Sequence, residues 1–71
     1  MNKRDPILKE VFEKAGGVSR LARRLGITRQ AVSIWRQVPA WHVPRVSAIT
    51  SIAPNKLRPD IYLLYDEDEN D

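Results

Sequence analysis

The stretch that decides the fold is Val18–Gln37, VSRLARRLGITRQAVSIWRQ. Val18, Leu21, Ala22 and Leu25 recur at spacings of three, four and seven, which is one face of a 3.6-residue helix. Gly26 stops that helix, because glycine takes the left-handed position after a helix end without a Cβ penalty. Ile27 reads as an apolar anchor in the turn. Thr28 reads as the N-cap of a second helix, its hydroxyl accepting from a free backbone N–H.

The second helix is laid out at about 100° per residue from Arg29. Ala31, Trp35 and Val32 then share one side, at roughly 200°, 240° and 300°. Trp35 therefore reads as core. Arg29, Ser33, Gln37, Gln30 and Ile34 share the other side, with Arg36 at its margin. This layout carries the helix to Gln37, where Val38–Pro39 ends it, since proline disfavours helical geometry in the residue before it. No carboxylate lies on the outer face. Arg pairs bidentately with guanine, Gln with adenine, and an aliphatic side chain meets a thymine methyl, so this face suits the DNA major groove.

Ala22, Gly26 and Val32 stand where a helix-turn-helix places its small residue, turn glycine and buried aliphatic. Leu57–Arg58–Pro59–Asp60–Ile61–Tyr62 (LRPDIY) looks like the closing segment of the YdaS-type branch. On these residues the chain, from about Pro6 to Tyr62, resembles the phage Cro-like and YdaS-type antitoxin group of lambda-repressor-like DNA-binding domains. The resemblance implies an all-α fold, a compact four- or five-helix helix-turn-helix domain. It also implies a double-stranded DNA operator, an inverted repeat bound by a homodimer. The antitoxin label adds a possible protein partner, such as a toxin. The alternative reading to a Cro-like repressor is accordingly an antitoxin-type protein-interaction module.

Seventy-one residues make one small domain with a marginal core. We expect the domain over residues 1–65 and a disordered acidic tail over 66–71. The charge is divided the same way. Residues 1–65 carry twelve cations against four carboxylates, a net +8, and residues 66–71 carry five carboxylates and no cation. A basic body implies a polyanionic partner. The tail reads as solvated, or as a segment competing for the basic face.

The absence of cysteine removes disulfides and thiolate metal sites. With one histidine, His42, a metal site has no ligand set. There is no paired carboxylate in the folded part, nucleophile pattern or phosphate-cradling loop, so we expect no enzyme and no cofactor. No apolar run is long enough for a membrane span and no signal peptide is evident, so we expect a cytoplasmic, nucleoid-associated protein.

Around the central stretch, Met1–Arg4 reads as a loose basic arm, either frayed or touching phosphates. Asp5 caps a first helix with Pro6 at its first position, and Ile7, Leu8, Val11, Phe12 and Ala15 form its apolar stripe. Gly16–Gly17 ends it. Ser19 lies in the opening turn of the next helix, where it either holds a phosphate or makes a local cap. Arg20, Arg23 and Arg24 leave the apolar stripe and are expected to flank the DNA backbone, together with Arg36. Thr28, Arg29, Gln30, Ser33, Ile34 and Gln37 are the expected base-reading residues. Arg29 and Gln30 lead them, being nearest the N-terminal end of that helix.

Downstream, residues 39–44 read as a turn into a fourth helix that starts near Pro44, or else nearer Pro39 with Pro44 in its first turns, and runs to about Thr50 or Ser51. Val43, Val46, Ile49 and Ala48 supply its apolar side. Trp41 either completes the core or lies in a dimer contact. A short helical turn follows at Pro54–Leu57, with Leu57 as its anchor. Ile61 and Tyr62 are expected to fold back on the core. The competing possibility is a β-hairpin, since IYLLY (Ile61–Tyr65) is strand-like by composition. Pro44, Pro54 and Pro59 suit helix starts and turns better than a sheet.

Overall fold

A computed structural model describes residues 4–62. The helices are α1 (Ile7–Ala15), α2 (Val18–Leu25), α3 (Arg29–Ser33), α4 (Val43–Thr50) and α5 (Pro54–Leu57), with a 3-10 turn at Ala40–His42. Residues 59–62 are helical as well, and there is no strand among the described residues. The all-α expectation holds there. Residues 63–65 of the apolar segment and the acidic tail, 66–71, lie outside the described residues, as do residues 1–3.

Most helix starts, and the ends of α1 and α2, have a local cause. Asp5 Oδ1 accepts from the Ile7 N–H at 3.2 Å, which opens α1 with Pro6 immediately before its first residue. At the other end, Gly16 takes a left-handed φ of 89°, and the N–H groups of Gly16 and Gly17 close on the carbonyls of Glu13 and Phe12. α2 ends the same way at Gly26, φ 75°. Its N–H reaches Arg23 O at 3.3 Å, and that of Ile27 reaches Ala22 O at 3.1 Å. Two otherwise orphaned carbonyls are thereby satisfied. Thr28 Oγ1 then accepts from the Ala31 N–H at 3.1 Å and starts α3. Pro44 lies in the first turn of α4, and Pro54 opens α5.

α2 and α3 pack on each other more extensively than the other helix pairs described, and α4 crosses α1. The core draws on every helix: Leu8, Val11 and Ala15 from α1, Leu21 and Ala22 from α2, Val32 from α3, Val43 and Val46 from α4, and Leu57 from α5. Trp35 and Val38 enter from the segment after α3, and Ile52 from the turn after α4. Ala22 is buried between helices that a larger side chain would push apart. Each fully buried Leu or Val contributes about 1.5–3 kcal/mol over an exposed one. Only a few such residues hold a chain of this size together.

Four expectations are corrected. First, α3 stops at Ser33, not Gln37, so Arg36 and Gln37 lie in a bend and their helical phases do not apply. The carbonyls at and beyond the last turn take a donor from outside the helix: Arg4 Nε donates to Trp35 O at 3.0 Å and its Nη2 donates to Ser33 O. Secondly, Arg4 is therefore tied to the body of the domain, and its guanidinium also lies over the Phe12 ring, 6.0 Å from the centroid. Thirdly, Ile61 is 46% exposed and only Tyr62 packs against the core. Fourthly, Ala48 is exposed and does not join the apolar side of α4; of the two readings left open for Trp41, its 78% exposure removes the place in this chain's core.

Candidate nucleic-acid interface

All eleven candidate residues are exposed: Ser19, Arg20, Arg23 and Arg24 on α2, Thr28 at the turn, Arg29, Gln30 and Ser33 on α3, and Ile34, Arg36 and Gln37 beyond it. The fold brings them to two adjoining helices. Burial of Leu21 and Ala22 turns the arginines of α2 outward, and burial of Val32 turns Arg29, Gln30 and Ser33 outward. The left-handed turn at Gly26 and the Thr28 cap set the two helices at a fixed angle.

Individual positions refine this picture. Arg20 folds back over the turn between α1 and α2, its Cδ 3.0 Å from where a Cβ on Gly16 would lie. No side-chain hydrogen bond caps the start of α2, where Gly17 is the N-cap, so Ser19 has no capping role there. The Thr28 hydroxyl is engaged by Ala31. Ser33 Oγ donates back to Gln30 O at 3.3 Å. Arg29 and Gln30 occupy the first two positions of α3.

Ile34 closes α3, its N–H reaching Gln30 O at 3.3 Å, and it is 77% exposed. It lines a cleft of about 310 Å³ with Arg4, Ser33, Trp35 and Arg36. Arg4 was read from the sequence as part of a loose arm. No local signal points to its contact with Ser33 O and Trp35 O, since the donor lies about thirty residues from its acceptors. Trp35 is buried and stacks obliquely on His42, ring centroids 5.7 Å apart. His42 in turn meets the exposed Trp41 at 5.9 Å.

The segment after α3 is held from the other end of the chain too. Arg58 Nη1 donates to Val38 O at 2.9 Å, and the same guanidinium makes a two-pronged pair with Asp60, at 2.9 and 2.7 Å. The hydrogen bond from Arg58 holds the Asp60 carboxyl below the usual carboxylate range, and Asp60 in return raises Arg58. The LRPDIY segment is thus a brace.

Among the described residues no helix is long and apolar enough to cross a membrane. No curated protein and no solved structure matches the chain significantly. Residues 8–65 do match a family model, described as bacterial toxin YdaS, over nearly the same span as the resemblance carried by Ala22, Gly26, Val32 and LRPDIY. With most of its length matched, and with the turn, cap and brace in place, this chain belongs to the YdaS family.

Proposed function

We propose that the chain is a non-enzymatic, sequence-specific binder of double-stranded DNA that represses transcription by occupying an operator. The observation that carries this reading is the outer face of α3. It presents Arg29, Gln30, Ser33 and Ile34 to solvent beside the exposed arginines of α2, with no carboxylate between them. α3 enters the major groove, with Arg29 and Gln30 at the base edges and Thr28, Ser33, Ile34 and Gln37 beside them. Ser19, Arg20, Arg23, Arg24 and Arg36 hold phosphates, which sets register without reading sequence. Two copies bind the halves of an inverted repeat about one helical turn apart. Such a protein works in the cytoplasm, on the nucleoid, and requires no cofactor.

The test is a titration on DNA selected from a random duplex pool, repeated across salt and against scrambled DNA. An inverted-repeat consensus bound at least about a thousandfold more tightly than scrambled sequence supports a specific dimeric regulator. Affinity that falls steeply with salt and ignores sequence leaves only an electrostatic binder.

A second reading has its own support. The family description names a toxin, so the chain is also a candidate for toxin–antitoxin chemistry, with a protein as its partner. Trp41, 78% exposed, and Ile61 lie outside α3 and offer apolar surface for that contact. Deleting residues 61–71 separates the roles. Lost protein binding with retained DNA binding assigns the C-terminal end to the partner and α3 to DNA.

A further inference from the structure

We propose that Arg4 is a positioning residue for recognition: by clamping the end of α3 it presents Ile34 to a thymine methyl group in the major groove. The proposal rests on the DNA-reading role of α3. Ile34 stands between two carbonyls, those of Ser33 and Trp35, and one guanidinium bonds to both. The N–H of Ile34 is fixed to Gln30 O. Its backbone is thus held on both sides while its side chain is 77% exposed.

The guanidinium is itself held. It lies over the Phe12 ring of α1, and the neighbouring Asp5 N–H donates to Arg36 O at 2.8 Å. Arg4 and Asp5 thus tie the stretch before α1 to the end of α3. An aliphatic side chain carried outward by a held backbone at the rim of a cleft, directly after Arg29, Gln30 and Ser33 of α3, leaves little backbone freedom to be lost on contact. The chemical group that such a side chain recognises on a base edge is the C5-methyl of thymine. A lysine at position 4 keeps the charge but has no planar fork to bridge two carbonyls.

The experiment uses the full chain and its pool-selected DNA, with each thymine replaced in turn by deoxyuridine, which removes only the methyl. One thymine in each half-site is expected to show about fourfold weaker binding as uracil, the worth of one buried methyl group. Ile34→Ala abolishes that difference. Arg4→Lys abolishes it too, with binding to scrambled DNA unchanged. Phe12→Leu, which keeps the core apolar but removes the ring under the guanidinium, reduces it.

An Arg4→Lys chain that keeps the full thymine–uracil difference overturns the proposal. So does a parent chain indifferent to every uracil. For Arg4→Ala, equal loss on selected and scrambled DNA with a shallower salt dependence makes Arg4 a phosphate contact instead. The clamp is read separately in DNA-free protein, as exchange of the Arg4 Nε–H slower than that of a solvent-exposed guanidinium, which Phe12→Leu partly speeds up. Slow exchange in a chain that binds no DNA would fault the role of α3 and leave the clamp standing. Fast exchange in the parent faults the clamp itself.

Discussion

Arg58 and Val38, twenty residues apart, are joined by a 2.9 Å bond from a guanidinium to a main-chain carbonyl. The Arg58 side chain is only 11% exposed, and Asp60 grips its other edge. The loop leaving α3 is therefore fixed by the LRPDIY segment.

Arg58→Ala removes this link and leaves Val38 O without its donor. A loss of about 1.5–3 kcal/mol is expected, of the size found for a hydrogen bond to a charged group. Urea unfolding measures it. A midpoint unchanged from the parent would mean that the brace adds nothing to the fold.

The same pair predicts a pH dependence. The Asp60 carboxyl is held below its ordinary range by the Arg58 hydrogen bond. A carboxylate lowered in the folded state stabilises fully above its unfolded value, near 4, and that stabilisation is lost as pH falls through the lowered folded value. Tm is thus expected to fall more steeply below about pH 4 in the parent than in Asp60→Asn. Parallel curves for the two chains would sink the expectation.

Gly26→Ala tests the turn. Nothing lies within 4 Å of the added Cβ, so the cost is conformational alone, from a φ of 75°. It is expected at about 1–2 kcal/mol in denaturant unfolding, with Gly26→Asn costing less. Equal cost for the two substitutions would point to a cause other than the left-handed backbone.

Arg29→Ala addresses the proposed reading face. It is expected to cost roughly 1–3 kcal/mol on selected DNA and to relax preference at one base pair. Competition titrations against singly substituted sites measure both effects. Equal loss on scrambled DNA would demote Arg29 to a backbone contact.

The parts of this fold legible in the sequence are those with local causes. The Gly26 stop, the Thr28 cap, Asp5 before α1, Pro44 in α4 and the Pro54–Leu57 turn each follow from a residue and its immediate neighbours. Trp35 was placed in the core by helical phase and is buried, although the helix ends just before it. What periodicity could not supply was the end of α3, because the donor that closes it, Arg4, comes from the other end of the chain. Ile61 was expected on the core from the family resemblance, but the fold leaves it half open while Tyr62 packs. The exposure of the candidate face was legible, since the phases of Arg29, Gln30 and Ser33 precede the break.

The bonds that finish α3 also set a schedule for synthesis. Arg4 waits for carbonyls about thirty residues downstream, and Val38 waits for a guanidinium twenty residues further on. A nascent chain that has released Val18–Gln37 from the ribosome still lacks the brace. The loop that leaves α3 is pinned only when Arg58 emerges, so a message truncated before that codon yields a product in which Arg4 can close α3 but nothing braces Val38 O.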